Sequence, residues 1–323
     1  MSSRKASAVT AIATIPAFSL LIVLTAFSHS AMQDGSNLKV AVDLVLLDVS
    51  VQDKNGQPVR DLGAKDFKIY EDKVEQRIAS FSTEESPVSW GLVLDRSRSM
   101  QAMMKDVYQS ALNVIDQGTT EDEMFIMTFN NQTELVTGFT PNRLELRNFI
   151  FGLHAEGNTA LYDAIDSALA YIKKGKHRKK VLVVITDGGD NRSRIRYSQL
   201  IDRVKESDVL IYTAGMYGGM ISNPTIARTI SGPKLELQEL AEVTGGYAHF
   251  PSDSDKCREA MEKIAREVSE HYTIGYYPSN PTQDGRWRDI KVVAGQPNVK
   301  YIARVRKGYY ASGYRNEAKS AGR

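Results

Sequence analysis

From residue 86 to residue 271, short apolar runs that carry no charge alternate with longer segments whose apolar residues recur at helical spacing. The runs at 90–94, 124–129 and 181–185 are typical of strands that are buried on both faces. Strands of this kind, each followed by an amphipathic helix, predict an α/β fold with a doubly wound, mostly parallel sheet. Because such sheets bind ligands beyond the carboxyl ends of their strands, the loops after the runs are candidate sites.

The segments before and after this region have a period of two. Apolar and polar residues alternate in 45–52, which predicts a strand with one buried and one exposed face, and the same period returns in 272–277 and 299–305. Neither flank has enough strands to bury a sheet face alone. The two flanks are therefore predicted to form one β-sandwich that the α/β domain interrupts, with two separate β units as the alternative.

The N-terminus predicts export from the cytoplasm. Arg4 and Lys5 precede the uncharged residues 6–27, and small residues follow at 28–31. This pattern is typical of a secretory signal, which is either cleaved or, since its apolar run is long, retained as a membrane anchor; the protein is then periplasmic, secreted or anchored in the envelope. The predicted divisions are the signal peptide or anchor at 1–30, the two parts of the β-sandwich at 38–85 and 272–311, the α/β domain at 86–271, and a disordered tail at 312–323.

Charge and cysteine content exclude several classes of function. The chain has 41 Lys and Arg against 39 Asp and Glu, and removal of Arg4 and Lys5 makes the two counts equal. This balance gives no electrostatic case for a nucleic-acid partner. Cys257 is the single cysteine of the sequence, which excludes an intramolecular disulfide and a thiolate metal cluster.

Oxygen-bearing side chains follow two of the apolar runs. Asp95, Ser97 and Ser99 come at the end of the first run, Asp187 follows a later one, and Thr159 stands before a predicted helix on a third loop. These loops are expected at the same edge of the sheet, where their side chains can meet. Two carboxylates with three hydroxyls suit a hard cation such as Mg²⁺, with Mn²⁺ or Ca²⁺ as alternatives, and do not suit zinc, which prefers nitrogen and sulfur.

These residues resemble the von Willebrand factor type A domain with a metal-ion-dependent adhesion site, whose pattern is DxSxS, a threonine on a second loop and an aspartate on a third. The resemblance covers residues 86–271, and the flanks resemble those of exported bacterial relatives of this domain. The metal ligands that the resemblance implies are the hydroxyls of Ser97, Ser99 and Thr159 and the carboxylates of Asp95 and Asp187, which bind directly or through water.

Arg98 departs from the family pattern, which usually has glycine between the two serines. A side chain at this position restricts the turn, and its positive charge is expected close to the metal. We therefore expect that Arg98 either points into solvent or acts on the site, by weakening metal binding or by recognising an acidic partner.

The resemblance implies a binding or adhesion protein that captures a protein or peptide ligand, whose carboxylate completes the coordination of the cation. The alternatives are a metal-independent structural or assembly component of the envelope and an unrecognised metal-dependent hydrolase. Enzyme classes lack their central motifs, since Ser97 stands where phosphoryl-transfer enzymes of the haloacid dehalogenase type have a second aspartate. No GxSxG, P-loop or GxGxxG sequence follows the first strand, and we expect no enzymatic activity.

Overall fold

The computed structural model of the chain describes residues 43–217, 228, 230–296 and 299–311. The predicted signal or anchor segment at 1–30 and the predicted tail at 312–323 lie outside the described residues. Within the described ranges, no helix combines the length and the apolar character that crossing a membrane requires.

A six-stranded sheet forms the centre of the α/β region. In sheet order its strands are β10 (Ala248–His249), β9 (Leu210–Gly215), β8 (Lys179–Thr186), β5 (Val88–Asp95), β6 (Glu123–Phe129) and β7 (Thr133–Thr140). Neighbouring strands are parallel except for β6 and β7, which are antiparallel. The predicted doubly wound, mostly parallel sheet is therefore confirmed, with one antiparallel strand added at its edge.

Helices cover both faces of this sheet. They are α1 (Met104–Gln117), α2 (Arg143–Ile150), α3 (Leu161–Ile172), α4 (Tyr197–Lys205), α5 (Ser231–Thr244) and α6 (Ser254–Ser269). Helices α1, α2 and α6 share an apolar core with one face, while α3, α4 and α5 share a second core with the other. The side chain of Asp253 accepts a hydrogen bond from the Lys256 amide at 2.9 Å, so Asp253 caps the start of α6.

Gly91 lies in the middle of β5, where the neighbouring strands leave no room for a side chain. An added Cβ would lie 2.4 Å from the Phe125 ring and 2.5 Å from Leu182. We predict that Gly91→Val lowers the free energy of unfolding by about 3 kcal/mol, because these buried side chains cannot move aside without straining the core. Urea denaturation followed by circular dichroism measures the loss.

Gly232→Ala is the control for this substitution, since a Cβ added there meets nothing within 4 Å. Its free energy of unfolding is expected to stay within about 1 kcal/mol of the parent value. If Gly91→Val also lost less than about 1 kcal/mol, the result would contradict the packing described for β5.

The flanks form two antiparallel sheets with strands from both sides of the α/β region. The order in the first sheet is β14 (Ile302–Arg304), β1 (Val45–Gln52), β11 (His271–Tyr276) and β4 (Ile78–Ser82). The order in the second sheet is β13 (Val299–Lys300), β12 (Trp287–Gln296), β2 (Phe67–Glu71) and β3 (Val74–Gln76), and β15 (Gly308–Tyr310) also pairs with β12.

The two antiparallel sheets share one apolar core. Leu47 of β1, Ile274 of β11 and Ile69 of β2 are fully buried in it. The ring of Phe67 lies 4.9 Å from that of Tyr272, measured between ring centroids. Residues from before and after the α/β region therefore pack as one sandwich, and no face of either flank has to be buried alone.

The chain enters the α/β region after β4 and leaves it through α6 into β11. Strands β4 and β11 are antiparallel neighbours, with Ser82 paired to Thr273. Both connections lie at the end of the central sheet where the parallel strands begin. The carboxyl ends of these strands, with the predicted site, are at the opposite end.

Strand β1 differs from the prediction of one exposed face. Ser50 and Gln52 belong to its polar face, yet each is only 7% exposed. The Gln52 amide contacts the carboxylate of Glu267 on α6. The polar face is covered because it packs against the end of the α/β region, where Gln52 has a polar partner and the Ser50 hydroxyl has none.

The contact between the sandwich and the α/β region contains a buried group of charged side chains. Lys179 at the start of β8 is 2% exposed, and its amine contacts the Val268 carbonyl oxygen and lies 2.5 Å from Nδ1 of His271. Nε2 of His271 is 3.3 Å from the Asp48 carboxylate, which also accepts two hydrogen bonds from Arg178 at 2.8 and 3.2 Å.

Burial and hydrogen bonding together set the pKa values of these side chains. Burial lowers the pKa of Lys179 to about 7 and also lowers the pKa of His271. For Asp48, burial acts to raise the pKa, but hydrogen bonds from His271 and Arg178 outweigh it and hold the pKa well below its usual range. The contact between the sandwich and the α/β region therefore contains a lysine whose charged form is disfavoured.

Candidate functional site

The neighbouring strands β5 and β8 bring the predicted carboxylates to the same edge of the sheet. Asp95 is the last residue of β5, and Asp187 directly follows Thr186, the last residue of β8. The two strands are parallel and paired through Leu94 and Ile185. Their loops therefore leave the sheet side by side, as the sequence predicts for a ligand site.

The carboxylate of Asp95 is fully buried and held from two directions. One oxygen accepts the backbone N–H of Ser97 at 2.8 Å, and the other accepts the hydroxyl of Thr186 at 2.6 Å. Burial raises the pKa of Asp95 to about 6; hydrogen bonds from Ser97 and Thr186 oppose the rise, and the negative charge of Asp187 adds to it. The buried negative charge is only partly compensated by these donors.

The two serines of the first loop lie next to each other. The hydroxyl oxygens of Ser97 and Ser99 are 3.0 Å apart, and Ser97 is buried whereas Ser99 is exposed. Residues Arg98–Met103 form a short 3-10 helix that leads into α1. This turn directs both hydroxyls to the same side, close to the backbone that binds Asp95.

Hydrogen bonds join the Thr159 loop to both other loops. The Arg98 amide donates to the Gly157 carbonyl oxygen at 3.1 Å. On the other side, the Thr159 amide donates to the side-chain oxygen of Asn191 at 3.0 Å, and the amides of Asn191 and Arg192 donate to the Thr159 carbonyl oxygen, each at 3.0 Å. The structure therefore brings together the three loops that carry Asp95, Thr159 and Asp187.

The donor set at this edge fits a hard divalent cation. The side chains of Asp95 and Asp187 interact electrostatically, and Thr159, with its hydroxyl, is only 2% exposed on the adjoining loop. Carboxylate and hydroxyl oxygens are ligands that Mg²⁺ accepts. Among the described residues, no three or more His, Cys, Asp and Glu side chains form a group suited to a metal, so the nitrogen and sulfur donors that zinc prefers are not gathered there.

Two positioning residues of this site were not predicted from the sequence. Thr186 binds the Asp95 carboxylate, and Asn191 binds the Thr159 amide. Thr186 has a recognisable place, since it ends a buried strand directly before Asp187. Asn191 is 32 residues from its partner and no sequence pattern marks it.

Arg98 occupies its position without backbone strain. Its backbone belongs to the 3-10 helix that begins at this residue, a conformation that any L residue adopts, and its side chain is exposed. The expectation that a Cβ restricts this turn is therefore wrong, because the turn is helical. The side chain of Arg98 lies at the surface beside the site.

A known family matches part of the α/β region. Residues 91–189 match the family model described as von Willebrand factor type A domain. The matched segment begins in β5 and ends in the loop after β8, so it includes all five predicted metal ligands. No curated protein sequence matches the chain.

Solved structures with a similar fold are distant in sequence. A von Willebrand factor type A protein from Catenulispora acidiphila is 13% identical, with 83% of this chain and 73% of that chain covered and a TM-score of 0.48. BatB from Bacteroides thetaiotaomicron is 16% identical, with 56% and 98% covered and a TM-score of 0.46. The vWF domain of the type V pili tip protein Mfa5 from Porphyromonas gingivalis is 11% identical, with 57% and 96% covered and a TM-score of 0.46.

Proposed function

We propose that this protein binds a divalent cation at the edge of its central sheet and uses the cation to capture a protein or peptide ligand through a carboxylate. The observation that carries the proposal is the fully buried carboxylate of Asp95, whose pKa is raised and whose neighbours are Asp187 and a pair of serine hydroxyls. A buried carboxylate next to a second one is costly unless a cation compensates both.

The ligand set explains why a partner would be needed to complete the site. Asp95 and Asp187 together balance the charge of a divalent ion, while the hydroxyls of Ser97, Ser99 and Thr159 are neutral. When bound, Mg²⁺ supplies a Lewis-acidic position that accepts a further oxygen ligand. Thr186 and the Ser97 amide hold the Asp95 carboxylate in place, so little of the site has to be ordered when a partner arrives.

Binding is favoured over catalysis at this site. A hydrolase would need a general base next to the cation. Glu156, which lies beside the Thr159 loop, has a side chain that is 69% exposed and pairs with Arg96 at 3.0 Å. An exposed carboxylate that is already engaged in an ion pair is a poor base, so we infer no enzymatic role for this edge.

The proposal includes an exported location and a partner with an acidic residue. The charged residues and apolar run of segment 1–30 support export, with cleavage or anchoring as the two outcomes. The balanced charge of the chain argues against nucleic acid as the partner. The competing function is a structural or assembly component of the envelope that works without metal.

Calorimetric titration with Mg²⁺ tests the proposal directly. We expect binding by the parent protein and about thirtyfold weaker binding by Asp187→Ala, within the range of about 10-fold to 100-fold that the removal of an outer-shell partner typically causes, because Asp187 binds the ion directly or through water. Parallel titrations with Mn²⁺ and Ca²⁺ identify the preferred ion.

Asp255→Ala is the matched control, since Asp255 is 87% exposed on α6 and should leave the affinity for Mg²⁺ unchanged. A parent protein that binds none of the three ions would overturn the proposal and support the metal-independent function. Equal affinities for the parent and Asp187→Ala would show that the ion binds elsewhere.

A further inference from the structure

Several arginines lie around the candidate cation site, and most of their charge is already compensated. Arg96 pairs with Glu134 at 3.1 Å and with Glu156 at 3.0 Å. Arg194 lies 3.4 Å from Asp163. These pairs hold the loops of the site together and leave little free charge for a partner.

Arg98 and Arg192 are different. Both side chains are exposed, and neither forms an ion pair with any residue in the described ranges. An exposed arginine without a partner is common on protein surfaces, so exposure alone carries nothing. The informative feature is the position of the two backbones relative to the cation ligands.

Both arginines are fixed to the loop that carries Thr159. The Arg98 amide binds the Gly157 carbonyl oxygen at 3.1 Å, and the Arg192 amide binds the Thr159 carbonyl oxygen at 3.0 Å. These two carbonyl groups are two residues apart, so they are separated by at most about 7 Å. The backbones of the two arginines are therefore anchored at neighbouring points of the same loop, one of them at Thr159, a predicted metal ligand.

The loop that carries Arg192 is itself well anchored. The Asp190 carboxylate accepts hydrogen bonds from the Ser193 hydroxyl at 2.5 Å and from the Tyr162 amide at 3.2 Å. The Asn191 side chain binds the Thr159 amide. Because the backbone on both sides of Arg192 is held, a partner that binds its guanidinium need not order the loop first.

We infer that Arg98 and Arg192 form a clamp for an acidic peptide segment, whose central carboxylate binds the cation while carboxylates on either side bind the two guanidinium groups. The inference rests on the proposed function and names the partner class for the same site. Guanidinium groups bind carboxylates in a bidentate fashion, which a lysine amine cannot do. In an extended peptide, side chains two positions apart point to the same face at a spacing of about 7 Å, so the two outer carboxylates lie about 14 Å apart. Because the anchoring points of the clamp are at most about 7 Å apart, each arginine side chain has to reach outward by about 3 to 4 Å.

The surroundings favour a short acidic peptide over a long polyanion. Glu134 and Glu156 lie at the same edge, and their side chains are 62% and 69% exposed. Although both pair with Arg96, they add negative charge that repels every anionic group that passes them, so the repulsion grows with the length of the anionic partner. A short peptide segment meets less of this repulsion than a long polyanion does, and its few carboxylates are matched by the cation and the two arginines.

Two synthetic peptides of equal length test the clamp in the presence of Mg²⁺. One has glutamates at alternate positions among glycines and serines, and the other has a single central glutamate. Fluorescence anisotropy is expected to show about tenfold tighter binding of the alternating peptide by the parent protein, since surface ion pairs contribute about threefold each. This preference should shrink about threefold in Arg98→Ala or Arg192→Ala and disappear in the double variant.

Arg77→Ala is the matched control, because Arg77 is exposed in the sandwich between β3 and β4. It should keep the full preference for the alternating peptide. A preference that survives in the double variant, or is missing in the parent protein, overturns the clamp. A DNA oligonucleotide that competes as well as the alternating peptide overturns the assignment to a peptide partner.

Calorimetry with Mg²⁺ separates failure of the clamp from failure of the proposed function. If the parent protein binds Mg²⁺ and both peptides require it, but with equal affinity, the clamp is wrong and the proposed function stands. If the parent protein binds no Mg²⁺ and EDTA leaves peptide binding unchanged, the proposed function fails, and the inference that rests on it fails as well.

Discussion

Replacing Asp95 by asparagine is expected to lower the affinity for Mg²⁺ by about a hundredfold or more, because the effect of a first ligand should exceed that of outer-shell partners. The substitution removes one of the two carboxylates that balance the ion. Asp95 is fully buried, so its charge acts at low effective dielectric and is screened less by water and salt than that of a surface residue. Calorimetric titration of the purified variant measures the loss.

The same substitution is expected to make the metal-free protein more stable. Burial raises the pKa of Asp95 to about 6, above the value of about 3.9 for aspartate in an unfolded chain. The metal-free fold therefore loses stability as the pH rises from about 4 through about 6, and at pH 7 it carries the full cost of a buried anion. Asparagine removes this cost, so urea denaturation in EDTA should show a gain of about 1 to 3 kcal/mol.

Asp255→Asn serves as the control for both measurements, since the side chain of Asp255 is 87% exposed. It should leave the affinity for Mg²⁺ unchanged and should lower the stability by less than about 1 kcal/mol, the contribution of an acidic residue in the first turn of a helix. A variant Asp95→Asn that binds Mg²⁺ as tightly as the parent would contradict the assignment of Asp95 as a ligand. Lower stability of that variant in EDTA would contradict the cost ascribed to the buried charge.

The second large effect is a rise in stability above neutral pH that depends on Lys179. Burial lowers the pKa of Lys179 to about 7, whereas a lysine in the unfolded chain titrates near about 10.4. Between these values the unfolded chain binds one more proton, so the free energy of unfolding increases by about 1.4 kcal/mol for each pH unit. We expect a gain of about 3 kcal/mol between pH 7 and pH 9.5 and no such gain for Lys179→Met.

Buried tyrosines limit this rise in stability at high pH. Burial raises the pKa values of Tyr212 and Tyr276, so above about pH 10 the unfolded chain releases protons that the folded chain keeps, and stability falls. Lys65→Met, at an exposed position, is the control and should retain the rise. A pH profile of Lys179→Met that parallels the parent would assign the rise to another group.

Much of the central sheet follows from the sequence because buried parallel strands need uninterrupted apolar runs. Strand β7 was not predicted, because it has no uninterrupted apolar run. It lies at the edge of the sheet, and Thr133, Glu134 and Thr137 interrupt its apolar residues. A strand that is paired on one side and partly exposed can carry such polar residues, so periodicity alone does not detect it.

In the candidate site, too, some residues could be predicted from the sequence and others could not. Asp95 and Asp187 could be predicted because each stands at the end of a buried run, a position that the topology of the sheet makes functional. Asn191 could not, since its role comes from a contact with Thr159 that only the folded loops create. Arg98 was expected to strain a tight turn, but the backbone is helical there and accepts the side chain.

The arrangement of the two chain connections has a mechanical consequence. Both covalent links between the α/β region and the sandwich attach to the neighbouring strands β4 and β11, at the end of the domain farthest from the candidate site. Tension applied through a captured partner would therefore be divided between two polypeptide segments and would run along the strands. Because both strands would be pulled in the same direction, the load would pass to the pairing of β11 with β1, whose hydrogen bonds would bear it together in shear instead of opening one after another.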